Sequence, residues 1–524
     1  MQTERKQSFL HGAAILTAAG IIVKIIGAFY KIPLGAILGP VGTANFSIAY
    51  SIYALLFVIS TAGLPSAVSK MISEACSRGD YARSERIYKS ALGAFSLIGA
   101  AGFVIMFVFA EQIGNFMGSK DSAAAIRAIS PAVMLVSVSS ISRGYFQGRL
   151  NMYPTAVSEI IEALGKLVFG ISAAWYMKKS GFGDSAVSAG AVLGVSIGAL
   201  MSAVYFLFLR DRRKRAYTRE KSGSMRILKE LLSLAVPISA GAAVISLTNV
   251  IDSALVMNLL KHIGFSENET KWLFGAYNYS LNLFNLPSAV VTCVGTTLIP
   301  AVSGAFAKKE YRLLDSTVNS ALKTGMIFSF AAAGGMCALS NGILSLLYGN
   351  FVEEQCINTS ALLLSILTAA IPFLSFSTLT NSVHQSLGRV FVPVASILVG
   401  GAVKLLSNII LISCADINIY GTAISTVLSY LAIAVSNSLQ LRKYDFLDID
   451  YEQVFIKPLI VGGVTFCASF VSVKQLSQYF GNGAAVFISV AVGLLACAVT
   501  CFCVRAVSKK EFMLLFRGGK VFKF

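Results

Sequence analysis

Long apolar runs recur along the whole chain and are separated by short polar links. A bilayer-spanning helix needs about 20 mostly apolar residues, a length that each run reaches. The pattern therefore predicts an all-α integral membrane protein with about fourteen transmembrane helices. The predicted spans are residues 9–35, 42–66, 90–110, 125–143, 153–177, 187–209, 231–260, 272–303, 322–348, 359–382, 391–412, 418–440, 455–473 and 483–504. The longest polar stretch, Arg210 to Glu230, is too short for a folded domain.

The composition agrees with a chain that lies largely within a bilayer. Of its 524 residues, 56% are hydrophobic and only 13% are charged, whereas a soluble domain carries about 25% charged residues. No P-loop, paired carboxylates or nucleophile motif occurs. The nine cysteines have no metal-ligand spacing. We therefore expect a membrane transporter rather than an enzyme, with no resident cofactor or metal.

The formal net charge of +18 is distributed unevenly between the two sides of the predicted membrane. Most Lys and Arg residues fall in alternate loops, on the same side as the N-terminus. This is the asymmetry of the positive-inside rule, so both termini are predicted to be cytoplasmic. A nucleic-acid interface would gather its cations on one face. Since these cations are dispersed among short loops, no nucleic-acid partner is expected.

Two stretches of the first half recur in the second half at a nearly constant spacing. They are residues 143–166 with 381–404, and residues 65–81 with 300–311. In the first pair of stretches, Gln147 aligns with Gln385, and Lys166 aligns with Lys404. Because six spans separate the copies, the two halves share one orientation, as in transporters built from parallel repeats.

The repeat predicts the domain organisation. Spans 1–6 and 7–12 form two pseudo-symmetric six-helix lobes, and two C-terminal helices lie outside the repeat. Transporters of this design bind their substrate between the lobes. The predicted segments are an N-lobe of residues 1–228, a C-lobe of residues 229–445, and a C-terminal helix pair with a basic tail of residues 446–524.

A few ionisable residues fall inside the predicted spans. Each costs about 2.5–3.5 kcal/mol on insertion scales and usually faces a cavity or a partner. Lys24 and Lys31 are seven residues apart on one face of span 1, which has no acid; Lys31 can instead snorkel to the interface. Lys166 follows Glu162 by four residues on span 5, so an intrahelical ion pair is the alternative to a cavity role. Lys404 has no such acid before it.

Polar side chains on spans 7 and 8 supply further candidates. Asp252 follows Asn249 by three residues, and oxygen ligands of this kind suit a coupling ion such as Na⁺ or H⁺; pairing with a cavity lysine is the alternative. Asn278 and Asn282 share one face of span 8, where interhelical hydrogen bonding is the default explanation. Supporting polar residues of the cavity are Glu162, Asn278, Asn282, Gln147 and Gln385. Lysines with few acids favour an anionic substrate, a phosphate above all.

Three motifs give the chain a family resemblance. They are GIIVKIIGAFYKIP at residues 20–33, GLPSAVSK at residues 63–70, and RGYFQG at residues 143–148, followed by NMYPT and SEIIE. With these motifs the chain resembles the MurJ/SpoVB-like lipid flippases of the multidrug/oligosaccharidyl-lipid/polysaccharide exporter superfamily. The resemblance covers essentially the whole chain. It implies the MATE/MurJ-like fold of fourteen helices, alternating access, and a place in the bacterial cytoplasmic membrane.

The resemblance also implies roles for single residues. In MurJ-like proteins, basic residues on span 1 line the cavity and are required, and Lys24 matches the first of them. The second basic residue comes six positions later in the family pattern, whereas Lys31 comes seven later here. A span-7 carboxylate binds Na⁺ in one branch of the family, and Asp252 is the nearest match.

The expected function is a flippase that moves an undecaprenyl-diphosphate-linked peptidoglycan or oligosaccharide precursor from the inner to the outer leaflet. Its expected partners are that lipid-linked anionic oligosaccharide, membrane lipids and cell-wall synthesis proteins, in vegetative growth or sporulation. One alternative is a cation-coupled multidrug exporter, although cationic drugs favour an acidic cavity. Another is a non-transporting membrane scaffold for cell-wall synthesis, which has no need of cavity lysines.

Overall fold

The structure is a computed structural model that describes residues 9–61, 63–209 and 224–504. In these segments the chain is helical and contains no strand. The helices are α1 (Phe9–Thr61), α2 (Leu64–Ser77), α3 (Tyr81–Val108), α4 (Ala110–Phe116), α5 (Ala123–Gly148), α6 (Tyr153–Lys179), α7 (Asp184–Leu209), α8 (Ser224–His262), α9 (Glu267–Ala307), α10 (Tyr311–Ala338), α11 (Ser340–Tyr348), α12 (Glu354–Thr368), α13 (Ile371–Ser386), α14 (Phe391–Ile412), α15 (Tyr420–Leu441), α16 (Lys457–Leu476) and α17 (Asn482–Cys503). A 3₁₀ turn, Lys120–Ser122, precedes α5, and a π-helical turn, Glu452–Ile456, precedes α16.

Each predicted span falls on one of these helices, on part of one, or on a consecutive pair. Helix α1 supplies the first two spans because it breaks at Gly39, which has φ 68° and ψ 177°. Helices α12 and α13 meet at a 46° bend and share one predicted span. By length and apolar composition, ten of the described helices can cross a membrane, or eleven with the bent pair. The remaining predicted spans fall on the part of α1 after the break at Gly39, on α6 and on α8. The predicted membrane fold is therefore confirmed.

Proline and one capping aspartate set several helix starts. Proline lies in the first turn of α2, α6, α13 and α16, as Pro65, Pro154, Pro372 and Pro458. At that position its missing N–H removes no intrahelical hydrogen bond. Asp80 caps α3, because its carboxylate accepts a hydrogen bond from the Arg83 N–H at 2.8 Å. These starts allow the short connections that the polar links predicted.

The backbone conformation of the connections repeats between the two halves. At four connections of the first half, a residue has positive φ, and so does a residue at the equivalent connection of the second half. The pairs are Gly39 and Gly264, Gly79 and Lys309, Leu150 and Gly388, and Gly181 and Asn418. The short helix α4 follows α3 in the same way that α11 follows α10. The predicted internal repeat is therefore present in the fold, with α16 and α17 outside it.

By contacts the chain divides into two compact units, Met1–Asn278 and Tyr279–Phe524, and the division falls within α9. In the second unit, α16 packs on α10, where Gly334 and Gly462 let the two backbones approach closely. The predicted lobes at residues 1–228, 229–445 and 446–524 stay a prediction.

Contacts within the first unit agree with helices that alternate in direction. At one end, Ser188 Oγ donates to the Gly42 carbonyl at 2.9 Å, and Asn258 Nδ2 donates to the Phe116 carbonyl at 3.0 Å. At the other end, the Gly63 N–H donates to Ser239 Oγ at 3.2 Å. Each contact joins helix ends that the predicted topology places on the same side of the membrane.

Glycines make the crossing of α6 and α7 unusually close. They are Gly165 and Gly170 on α6, and Gly190, Gly194 and Gly198 on α7. A Cβ on Gly194 would collide with the Gly170 backbone, and a Cβ on Gly198 would collide with the Glu162 carbonyl. Small residues spaced by four let membrane helices approach to backbone contact. The crossing therefore fixes the charged stretch of α6 against α7.

We expect Gly194→Ala to destabilise the protein by about 1–3 kcal/mol, since the added methyl overpacks this crossing. Thermal denaturation of the purified chain in detergent, followed by the loss of the monodisperse peak, measures the effect. Gly93→Ala on α3 is the matched control, because nothing lies within 4 Å of its Cβ position. Equal melting temperatures for the two variants would contradict the packing.

Candidate functional site

A buried ion pair joins three helices of the first unit. Arg143, near the end of α5, donates from Nη2 to Glu162 Oε2 on α6 at 2.7 Å. It also donates from Nε to Ser158 Oγ at 3.0 Å and from Nη2 to Ser202 Oγ on α7 at 3.3 Å. The Arg143 and Glu162 side chains are only 9% and 20% exposed. The guanidinium therefore links α5, α6 and α7 and neutralises Glu162.

Lys166 contacts aromatic rings instead of a carboxylate. Its Nζ lies 5.1 Å from the centroid of the Tyr30 ring and 5.9 Å from that of the Tyr50 ring. Such contacts attract the ammonium electrostatically but do not neutralise its charge. In the described part of the chain Glu162 pairs with Arg143, so the alternative of an intrahelical Glu162–Lys166 pair is wrong. The prediction fails because the Arg143 guanidinium, on α5, lies within hydrogen-bond distance of Glu162.

The two rings beneath Lys166 are held in place from several sides. Tyr30 Oη donates to the Ala191 carbonyl of α7 at 3.1 Å. Gly170 leaves room for this contact, because a Cβ there would lie 3.1 Å from Tyr30 Oη. Tyr50 stacks on Phe46 with ring centroids 5.7 Å apart. The position of the Lys166 ammonium is thus set by α1 and α7 as well as by its own helix.

Lys31 lies close enough to interact electrostatically with both Lys166 and Tyr50. Its side chain is exposed at the surface of the described structure, and its place in a cavity stays a prediction. Neither Lys31 nor Lys166 forms an ion pair with a described residue. Two nearby cations without a carboxylate repel each other, so an anion beside them lowers the energy of both. The structure therefore brings these two predicted cavity cations together in an arrangement suited to an anion.

Lys24 lies two turns before Lys31 on the same face of α1, about 10 Å away along the helix axis. Its side chain is exposed. Gly20 and Gly27 on the same helix have open space where a side chain would be. Lys24, Gly27 and Lys31 therefore form one open face of α1.

In the second unit, the two positions equivalent to Arg143 and Glu162 carry no charge. Asn381 aligns with Arg143 in the repeat, and Gly400 stands at the position of Glu162. Asn437 Nδ2 donates to Asn381 Oδ1 and to Thr380 Oγ1, both at 2.9 Å. The two halves therefore have the same helix order but differ in charge at this position.

Two other predicted ionisable residues are engaged with partners. Lys404 on α14 is half-buried and has an interaction partner, and its role as a cavity cation stays a prediction. Asp252 on α8 is buried and also has a partner, whereas Asn249 is exposed. Among the described residues, no group of three or more His, Cys, Asp and Glu is placed to hold a metal ion. A coupling-ion site at Asp252 and Asn249 stays a prediction.

The structure gives a local side-chain role to one of the predicted amide residues, Asn278. Asn278 Nδ2 donates to the Phe274 carbonyl one turn earlier on α9, at 2.7 Å. The prediction that Asn278 forms an interhelical hydrogen bond is therefore wrong for the described residues. Asn282 is half-buried further along α9. Gln147 and Gln385 lie in the last turns of α5 and α13. Their backbone carbonyls accept hydrogen bonds from the N–H groups three residues on, at 2.9 Å and 3.0 Å. These bonds do not involve the lysines.

Arg143 and Ser202 are the site residues that the sequence did not reveal. Arg143 is the last residue of the predicted span 125–143 and was not among the predicted intramembrane charges. One signal pointed to it, since it opens the stretch that repeats at residues 381–404. Ser202 lies in an apolar run, and no pattern in the sequence singles it out.

Comparisons with known proteins agree with the fold and the motifs. Residues 9–306 match the family model described as polysaccharide biosynthesis protein, and residues 270–411 match the MatE model. Over 453 residues the chain is 27% identical to the lipid II flippase MurJ of Bacillus subtilis (strain 168), covering 83% of this chain and 82% of that protein. Stage V sporulation protein B of the same organism is 23% identical over 511 residues, 94% of each chain.

A solved structure has the same fold. It is the lipid II flippase MurJ in an inward closed conformation, which matches with a TM-score of 0.73 at 16% identity and covers 94% of this chain and 99% of that one. The resemblance to MurJ and SpoVB indicated by the motifs is therefore confirmed.

We expect Arg143→Met to lower the free energy of unfolding by about 3–5 kcal/mol, because Glu162 is left as an uncompensated buried charge. The double variant Arg143→Met/Glu162→Leu should lose less, since it removes both charges. Denaturant unfolding of the purified chain in micelles, followed by tryptophan fluorescence, measures these changes.

The control is Arg127→Met, which breaks a 2.7 Å pair with Glu111 whose side chains are 42% and 68% exposed. An exposed pair of this kind contributes at most about 1 kcal/mol. Equal losses from Arg143→Met and Arg127→Met would show that the buried pair does not hold the three helices.

Proposed function

Because the chain belongs to the polysaccharide biosynthesis protein family, we propose that it is a flippase for a lipid-linked anionic oligosaccharide. The observation that supports this most directly is the proximity of Lys31 and Lys166, neither of which has a carboxylate partner among the described residues. Phosphate oxygens accept strong hydrogen bonds from charged donors. Since lysine is a point charge on a flexible stem, the pair holds a moving diphosphate without fixing its orientation.

The path of the substrate follows from its chemistry. An oligosaccharide diphosphate cannot enter the hydrocarbon layer unpaired, so we propose that it crosses within the protein while the lipid tail stays in the bilayer. Lys24, two turns nearer the predicted cytoplasmic end of α1, is proposed as an earlier contact of the headgroup. Lys404 on α14 is proposed as a further cavity cation. Alternating access of the two six-helix halves then moves the headgroup from one side to the other.

The membrane potential favours this direction of transport. With both termini in the cytoplasm of a bacterial cell, an anionic headgroup moves outward down an inside-negative potential. The gain is about 2.3 kcal/mol per charge per 100 mV. Uptake of Na⁺ or H⁺ at Asp252 and Asn249 is proposed as an additional coupling reaction and is not needed to make export downhill.

For the headgroup we propose an undecaprenyl-diphosphate-linked peptidoglycan precursor or a related oligosaccharide. One relative is named a lipid II flippase and another a stage V sporulation protein, which supports a role in the cell wall or the spore cortex. Cell-wall synthesis proteins are accordingly the proposed protein partners.

A cation-coupled multidrug exporter is the second candidate, because part of the chain matches the MatE model. The charges near α1 and α6 argue against it. Lys24, Lys31 and Lys166 make this region positive, and Glu162 is neutralised by Arg143. A cationic drug would be repelled here, whereas an anion is attracted.

We expect Lys31→Ala and Lys166→Ala each to reduce precursor export by about tenfold or more, the loss expected for one charged hydrogen bond. Export is measured as the access of an external probe to the precursor in a flippase-depleted strain that carries this full chain. Lys89→Ala on α3 is the control, since that side chain is 65% exposed. Lys24→Ala and Lys404→Ala extend the series to the other proposed cavity cations.

The outcomes separate the hypotheses. Normal export by Lys31→Ala and Lys166→Ala at normal protein levels would contradict the flippase proposal and favour a scaffold. Protection of a pump-deficient host against cationic drugs would favour the exporter instead. If Lys24→Ala and Lys404→Ala both leave export intact, those two lysines do not belong to the substrate path.

A further inference from the structure

Lys271, in the second turn of α9, is a buried cation. The predicted topology places both termini on the inner side of the membrane and Lys271 near the outer side. Its side chain is only 1% exposed, and it forms an ion pair with Asp121 of the 3₁₀ turn before α5. Its Nζ also lies 3.4 Å from Glu267 Oε1 in the first turn of α9. Two carboxylates therefore neutralise one buried ammonium, and one of them comes from the first six-helix half of the chain.

Further bonds extend this cluster to neighbouring elements. Glu267 pairs with Lys261 in the last turn of α8 at 3.4 Å. It also accepts a hydrogen bond from the Lys120 N–H at 3.3 Å. The carbonyl of Asp121 accepts a hydrogen bond from Ser185 at the start of α7. The network thus ties the α8–α9 connection to the connection between α4 and α5.

The backbones at this end are interlocked as well. A Cβ on Gly275 of α9 would collide with the Pro40 carbonyl oxygen at the break in α1. A Cβ on Gly118 would lie 2.8 Å from Met257 Cβ on α8. At these two points α8 and α9 approach the first-half elements too closely for a Cβ. Separating α8 and α9 from the 3₁₀ turn before α5 breaks the ionic network.

The ion pair that α8 forms at the opposite end has no fully buried member. Arg83 and Glu230 are 3.5 Å apart with side chains 38% and 41% exposed. A neutral bond from the Gly63 N–H to Ser239 also lies at this end. Pairs with two half-exposed members contribute little to stability.

The outer cluster instead has one fully buried member, Lys271, beside the Asp121 and Glu267 side chains, which are 53% and 34% exposed. Leaving a buried charge uncompensated is costly. Both ends are closely packed, since a Cβ on Gly63 would lie 2.2 Å from the Ala235 carbonyl oxygen. The ends differ in that, among the described residues, the ion pairs of the predicted outer end include a fully buried ammonium.

We propose that Lys271, Asp121 and Glu267 form a latch that keeps the predicted outer end closed at rest and must open to release the headgroup. The proposal rests on the proposed flippase function. Breaking the latch by moving the helices apart hydrates all three charges together, so the closed and open states remain exchangeable. Removing one carboxylate instead leaves the lysine partly uncompensated and favours opening.

The first test measures closure without substrate. Hydrogen exchange of the purified full chain is followed at residues 116–122 and 263–272. Asp121→Asn should speed exchange there by about tenfold or more, as local opening becomes easier, and leave α16 and α17 unchanged. Lys271→Arg, which keeps the charge, should exchange like the parent. Glu111→Gln removes an exposed charge on the neighbouring α4 and is the control. Unchanged exchange in Asp121→Asn would overturn the latch.

The second test asks whether the latch must open during transport. Asp121→Cys and Glu267→Cys are combined in the full chain and bridged by a short bis-maleimide, and export is compared with that of treated Asp121→Cys alone. Loss of export only in the bridged protein is expected. Undiminished export after bridging would overturn the proposal. Because the exchange test uses no substrate, a failure of the flippase function would not change its result.

Discussion

The pairing of Arg143 with Glu162 is the interaction on which the candidate site depends. In the hydrocarbon layer a charged side chain must be paired or hydrated, and this pair satisfies Glu162 while joining α5, α6 and α7. By occupying Glu162, Arg143 leaves Lys166, one turn further along α6, without a carboxylate. Lys166 lies instead over two tyrosine rings and near Lys31. The positive charge available to a ligand is therefore a consequence of an internal ion pair.

The two halves of the chain share a backbone but not this chemistry. Equivalent connections keep positive φ even where the residue changes, as at Leu150 and Gly388, because the turn between two antiparallel spans imposes the same geometry. The ion pair is not kept, since Asn381 and Gly400 replace its two members. In the second half, neutral hydrogen bonds from Asn437 to Thr380 and Asn381 join α13 and α15 at the equivalent position. Charge asymmetry on a repeated fold concentrates the proposed anion binding in the first half.

The helices could be predicted from the sequence because hydrocarbon forces each span to satisfy its own backbone hydrogen bonds. The run 391–412, for example, coincides with α14. The site was harder, because side chains pair across helices that are distant in sequence. Lys166, four residues after Glu162, was the local partner that helical spacing offered, whereas the actual partner is Arg143, 19 residues away on α5. For Asn278 a partner on another helix was predicted, whereas the observed partner is the Phe274 carbonyl of its own helix.

The central claim is that an internal ion pair leaves lysines free to hold a lipid diphosphate. Binding to the purified full chain in nanodiscs tests it most directly, with undecaprenyl diphosphate compared with the uncharged undecaprenol. We predict saturable binding of the diphosphate alone, weakened by added salt because the attraction is partly screened. Equal binding of the two lipids, or diphosphate binding that the double variant Lys31→Ala/Lys166→Ala leaves unchanged, would contradict the claim.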